Sequence, residues 1–413
     1  MISLKAAKNI SIYFFASVIK ASLLLLINPF VALNMSHTDY AIFGYFRAYQ
    51  TLLVPLLSLA FFQYYSKRFF EVSPPKREEL LNNLLSIQFI VGLVEISLII
   101  GMFYTFFSLT GVSFPVFPYA FILCFTIFFN NFYSFWLLEL KMTRNAAKYF
   151  RISLINSMFS VFFVTLLVIV LKLGALGKLG APLLTALFCG MTFFLRRKPR
   201  IRIHYPELKK ALTFTWPLII AGSLEFFFSG VDRTFLEKIG NNRLLGLYNI
   251  GLGISGYLLI FNRAISDTFR PDIYQAVAQR NTRRILKYVF TLNLLNIIPV
   301  VFFIIFAPFI LKVLTFGKFT AAAGFARITS LKNISRSIYF TMSSLIIAFG
   351  FPKVTLINKI IGTLGSLILF KFLIDQFGYY GAAWGQVLSF VCLSIVTSVF
   401  IGYKLVKKYS RSA

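Results

Sequence analysis

Seven cations and three carboxylates lie in or at the ends of long apolar stretches of this chain: Lys20, Arg47, Arg327, Lys332, Arg336, Lys359 and Lys371, with Glu95, Glu225 and Asp232. A central Lys or Arg costs about 2.5–3.5 kcal/mol on insertion scales. The four deepest, Lys20, Arg47, Lys332 and Arg336, would together cost on the order of 10 kcal/mol, as much as the net stability of a domain. Water, pairing or a bound anion must relieve that cost, and the few acids cannot neutralise so many bases. A water-filled cavity with a positive wall is the simplest arrangement. Lys332 and Arg336 are spaced i,i+4, share one helix face and repel each other unless an anion or water lies between them. Guanidinium suits phosphate by bidentate hydrogen bonds and ammonium as a point charge, so a cationic lumen predicts an anionic cargo.

Each of these residues also has a plainer reading. Lys359 and Lys371 lie near the ends of their segment, within reach of headgroups by snorkelling. Arg327 is only a few residues into its segment, and Arg47 about two turns from the outer face. Glu95, Glu225 and Asp232 are candidates for ion coupling, with a salt bridge to a neighbouring cation as the alternative for the two glutamates.

Other chemistries find little support. Cys124, Cys189 and Cys392 sit singly in apolar stretches and read as packing residues; His37 and His204 are isolated, so no metal site is visible. No nucleotide-binding motif and no acidic catalytic motif occur, and no cofactor is implied.

Apolar runs must hold these charges in place. The chain is 58% hydrophobic and only 13% charged, far from a soluble domain. Stretches near the roughly 20 residues needed to span a bilayer recur throughout, and in lipid they must be helical. They fall at 9–33, 40–65, 83–106, 115–139, 150–171 and 179–195, then at 211–231, 244–263, 288–311, 324–349, 354–374 and 381–403. The first run exceeds a signal-peptide core and contains Lys20, so it is expected to remain as a span. With the N-terminus inside, 28 basic residues fall in inside segments and 7 in outside ones. That alternating bias predicts both termini cytoplasmic. It also accounts for the net charge of +29 without nucleic acid.

The most basic stretch, RRKPRIRIHYPELKK from Arg196 to Lys210, divides the chain at its midpoint. The reading is an all-α integral membrane protein of about twelve helices: an N-terminal six-helix lobe (1–195), a basic cytoplasmic linker (196–210) and a C-terminal six-helix lobe (211–413). The halves are pseudo-symmetric. DYAIFGY from Asp39 lines up with LLGLYNI from Leu244, and GAPLLTAL from Gly180 with GAAWGQVL from Gly381, at offsets of about 205 and 201 residues. Six spans per half make a parallel repeat, an arrangement known from alternating-access transporters.

Several motifs in order carry a family resemblance. KNISIYFFASVIKASLLLLINPF is followed by SHTDYAIFGYF; SGVDRTFLEKIGNNRLLGLYNIG holds Asp232, Arg233, Gly246 and Tyr248; GFPKVTLINKIIGTLG precedes FGYYGAAWGQVLS. Ala41 stands where a Gly is usual. The chain resembles the Wzx-type O-antigen and capsule flippases, in the superfamily with multidrug-and-toxin exporters and lipid II flippases. The resemblance implies a V-shaped bundle of two lobes in the bacterial inner membrane. Its cargo would be an undecaprenyl-diphosphate-linked oligosaccharide, passed from the cytoplasmic to the periplasmic leaflet with ion coupling. A polysaccharide polymerase and a chain-length regulator are further partners, beside membrane lipids. The resemblance also implies that Lys20 and Arg47 hold substrate, with Asp232 or Glu225 as the coupling carboxylate. A lipid II flippase or multidrug exporter of the same fold is the alternative. A membrane polymerase or glycosyltransferase is disfavoured by short outer loops and the lack of an acidic catalytic motif.

Overall fold

The computed structural model describes residues 19, 22–23, 25–69, 71–279, 281–348 and 352–409. Residues 25–33 are helical. There follow α1 (His37–Ser58), α2 (Phe61–Arg68), α3 (Pro74–Thr110), α4 (Tyr119–Met142), α5 (Ala146–Val164), α6 (Gly174–Arg197) and α7 (Tyr205–Ser223). The second half holds α8 (Phe226–Ser229), α9 (Asp232–Glu237), α10 (Asn242–Ser255), α11 (Leu258–Ala278), α12 (Thr282–Leu314), α13 (Ala323–Ala348) and α14 (Pro352–Tyr409), the last broken at Gly378. Among the described residues there is no strand. Among the described residues, eight helices are long and apolar enough to cross a membrane, one of them the broken α14. Of the remaining expected spans, 9–33 lies partly outside the described residues, with 25–33 helical; 40–65 coincides with α1 and α2, and 324–349 with α13, whose three cations lower its hydropathy.

Contacts divide the chain after Ser223, not in the basic segment 196–210. The physical reason lies in α7. Its Glu207 accepts a 2.6 Å hydrogen bond from Tyr64, and Ser223 donates to the Leu52 carbonyl at 3.3 Å. These bonds tie what reads as the first helix of the second lobe into the first unit. The expected span 211–231 is also broken: α7 ends at Ser223 and Glu225 occupies the turn before α8.

In the first unit, α1 stops at Leu59 and Ala60, both in the left-handed region at φ 49° and 51°. The break frees the Leu57 carbonyl, which lipid cannot satisfy. Two side-chain amides from other helices do so, Gln88 at 2.5 Å and Asn131 at 2.9 Å. Gln88→Leu or Asn131→Leu alone leaves one donor in place; both together strand a buried carbonyl, at about 1–3 kcal/mol. The double variant should therefore lower the unfolding midpoint in detergent by more than the two singles combined. Simple additivity would mean that the amides act independently.

Aromatic rings fill the rest of this unit. Tyr45, Phe46, Phe107 and Tyr119 form one cluster, and Phe89, Phe128, Phe132 and Phe194 another. Offset and edge-on ring pairs add about 0.5–1.5 kcal/mol each beyond their burial.

The repeat is visible in the backbone. N-caps Ser36 and Asn241 open α1 and α10. Gly174 and Gly378, 204 residues apart, both have φ 53°. Three residues after each, Gly177 and Gly381 press on the backbone carbonyls of Leu167 and Leu373, where a Cβ would collide. The structural register therefore pairs Gly381 with Gly177, three residues from the sequence match to Gly180. Of the cysteines, Cys124 and Cys189 are buried as expected, whereas Cys392 is exposed.

Candidate functional site

The second unit gathers its charges into one network. α13 carries Lys332 and Arg336 nine and thirteen residues into a 26-residue helix, about 14 and 20 Å along at 1.5 Å per residue. Arg336 meets Glu225 at 3.2 Å, and Lys359 of α14 meets the other oxygen of the same carboxylate at 3.4 Å. Side-chain exposures of 21%, 19% and 14% for Arg336, Glu225 and Lys359 place the trio at the edge of solvent-sized space. Lys359 thus reaches inward to Glu225, while Lys371 is exposed. Lys332 Nζ donates to Gln386 Oε1 at 2.9 Å and lies within electrostatic reach of Arg336, Arg233, Asp232 and Glu225.

Asp232 is completely buried. Tyr248 donates to one of its oxygens, and Arg233 to the other at 3.1 Å. Arg233 also donates to the Ser229 carbonyl and, at 3.3 Å, to Asn249. The Asp-Arg and Gly-x-Tyr motifs, sixteen residues apart in sequence, are thus one hydrogen-bonded corner. Its aspartate is held by a cation and a phenol.

Four cations, Arg233, Lys332, Arg336 and Lys359, therefore face two carboxylates. A buried charge without neutralisation is strongly unfavourable, so the surplus calls for water or an anion. The interior of α13 is also polar where it packs on its neighbours. Thr329, Asn333, Ser337 and Thr341 form a buried polar stripe with i,i+4 spacing. Thr329 pairs with Ser255 at 2.9 Å, Asn333 donates to the Ser255 carbonyl, and Ser337 takes a 2.8 Å bond from Asn296. The stripe was legible in the sequence as a repeat of small polar residues every four positions.

Arg327 is not part of this network. It is exposed and donates to the Ile304 carbonyl at 3.1 Å, because its position on α13 turns it toward α12.

In the first unit, Arg47 is exposed on α1 and lies over the Phe43 ring at 5.4 Å. Lys178 approaches the same ring at 5.8 Å. Cation–π contacts of this kind add about 0.5–2 kcal/mol. Lys178 escaped the sequence reading because its helix starts at Gly174, not near residue 179, which places the lysine in the first turns of α6 rather than in a loop. Asp39 closes this end. It forms a capping box with Ser36 and accepts from the Ala175 amide at 2.9 Å, tying α1 to α6. Glu95, on α3, is half-buried, and its Oε2 has no hydrogen-bond partner among the described residues. Lys20 lies outside the described residues. No cluster of metal-ligating side chains is present among the described residues.

Residues 77–318 match the family model of the polysaccharide biosynthesis proteins. Over 180 residues the chain is 22% identical to a protein of Haloferax volcanii named as a probable low-salt glycan biosynthesis flippase, Agl15; the match spans 43% of this chain and 38% of that protein's length. The backbone is similar to a multidrug resistance MATE family transporter of the MOP superfamily in its inward-facing conformation, with TM-score 0.75 and 15% identity over 94% of this chain and 96% of that one. It is also similar to the lipid II flippase MurJ in an inward closed conformation, with TM-score 0.69 and 16% identity over 95% and 87% of the two chains. The fold is therefore the all-helical integral membrane fold of those transporters.

Proposed function

The chain belongs to the family of polysaccharide biosynthesis proteins, and from that premise we propose that it is a flippase for a lipid-linked oligosaccharide whose headgroup is joined through a diphosphate. The observation that carries this reading is the surplus of cations in the second unit. Arg336, Lys359 and Lys332 are held near one another with a single shared carboxylate, Glu225, directly between two of them. A diphosphate brings the negative charge that the network lacks. The prenyl tail stays in lipid. A site that must also release its cargo is better served by several moderate contacts than by one tight one. An O-antigen or capsule repeat unit in a bacterial inner membrane is the cargo this predicts, with a polymerase and a chain-length regulator acting downstream. A multidrug exporter of cations on this fold is disfavoured by the same surplus.

Glu225 gives the cycle its coupling. Its carboxylate occupies Arg336 and Lys359, and a coupling ion that takes their place on it releases both to the diphosphate. Cargo and coupling ion thus bind together, and loss of the ion expels the cargo. Binding to purified protein tests both statements. A polyprenyl-diphosphate oligosaccharide should bind at least tenfold more tightly than the neutral polyprenol, and Glu225→Gln should bind it more tightly still while turning over more slowly. Equal affinity for charged and neutral lipid would overturn the flippase reading. Glu225→Gln with unchanged affinity would overturn the coupling alone.

A further inference from the structure

At the basic end of the first unit, α4, α5 and α6 enclose a cleft of about 620 Å³, lined by Lys148, Arg151, Arg196, Trp136, Ile155 and Phe188 among others. Its three cations are all exposed. Of the carboxylates at this end, Glu78 and Glu139 both pair with Arg197, and Glu79 is exposed on α3, outside the cleft lining. Among the described residues, Lys148, Arg151 and Arg196 make no salt bridge, although Arg196 lies over the Trp136 ring at 5.7 Å.

Helical spacing sets what lies beyond these charges. Lys148, Arg151, Ile155, Met158 and Phe162 follow one face of α5, and Ile155, Met158 and Phe162 are exposed. On α6, Arg196, Thr192 and Phe188 lie along one face, with Phe188 half exposed. The run from Lys148 to Phe162 is about 21 Å at 1.5 Å per residue, more than the roughly 15 Å half-thickness of the hydrocarbon core. Cations at one end continue into an apolar stripe on α5, with Phe188 of α6 beside its start, that one leaflet can cover.

We propose that this cleft is a binding site for an anionic phospholipid, its phosphate held by Lys148, Arg151 and Arg196 and its acyl chains lying along the apolar stripe of α5 and beside Phe188 of α6. Clustered basic residues at a membrane surface attract anionic headgroups. The site is separate from the charge network of the second unit and does not depend on the flippase reading.

The full chain in nanodiscs tests it by native mass spectrometry. Phosphatidylglycerol added to phosphatidylcholine discs should remain bound to the wild type. Lys148→Gln/Arg151→Gln/Arg196→Gln should weaken that binding roughly tenfold or more, whereas Lys198→Gln/Lys209→Gln/Lys210→Gln should not. Equal loss in both triple variants would reduce the effect to general surface charge and overturn the site. Displacement by millimolar inorganic phosphate would make it a free-anion site. Stronger retention of polyprenyl diphosphate than of phosphatidylglycerol would make it a cargo site. Either result overturns the proposal. A second measurement covers a triple variant that fails to fold. In a Trp216→Phe/Trp384→Phe background, brominated phosphatidylglycerol should quench Trp136 more than brominated phosphatidylcholine does. Equal quenching by the two lipids contradicts the site.

Discussion

Lys332→Gln/Arg336→Gln is expected to slow translocation of the lipid-linked oligosaccharide by two orders of magnitude or more, while Arg327→Gln stays near the wild-type rate. Hydrogen bonds to charged groups contribute about 1.5–3 kcal/mol each, and each 1.4 kcal/mol is a factor of ten. Two such contacts to a diphosphate therefore account for at least a hundredfold. The double substitution leaves Arg233 and Lys359 against Asp232 and Glu225, a balanced set with no surplus for an anion. Folding should survive, because like charges on one face of α13 are removed and Glu225 keeps Lys359 at 3.4 Å. Arg327 is the internal control: it lies on the same helix, carries the same charge and binds the Ile304 carbonyl instead. The assay is the appearance of lectin-accessible oligosaccharide on the far face of reconstituted vesicles. Wild-type rates in a well-folded double variant would remove the network from the transport step.

The largest effect on stability is expected at the Asp232 corner. Arg233→Leu leaves a completely buried carboxylate with Tyr248 as its remaining close donor, and stranding a buried charge costs about 3–5 kcal/mol. Asp232→Asn/Arg233→Leu removes both charges and should recover much of that loss, although the Ser229 carbonyl and Asn249 still lose their donor. Tyr248→Phe, which deletes one hydrogen bond, should fall between them. Folded yield and unfolding midpoint in detergent give the order. If Arg233→Leu and the double variant fall equally, the pair is not a neutralising one, and the corner is held by packing alone.

That corner also explains why the family motif could be recognised before its purpose was known. Asp232, Arg233 and Tyr248 bond to one another across their sixteen-residue spacing, and Asp39 caps α1 and holds Ala175. Motifs of this sort mark where the backbone must turn in lipid. The cations proposed to hold the cargo follow no such pattern. By the 204-residue register that pairs Gly174 with Gly378, the first-unit counterparts of Lys332 and Arg336 are Phe128 and Phe132, both buried in the aromatic cluster. The repeat shares a backbone but not a site.

Sequence alone determined the all-helical class and, for most spans, the order and position of the helices. Hydrocarbon forces every backbone group into a helix, so span positions follow from local hydropathy. The i,i+4 relation of Lys332 and Arg336 is likewise local. Only the tertiary structure decided which charges meet. Helix rotation sent Lys359 to Glu225 and Arg327 to Ile304, an early helix start brought Lys178 to Phe43, and the bonds of Tyr64 and Ser223 drew α7 into the first unit. Each outcome rests on contacts between residues distant in the chain, and hydropathy and spacing along a single helix carry no information about a neighbour's face.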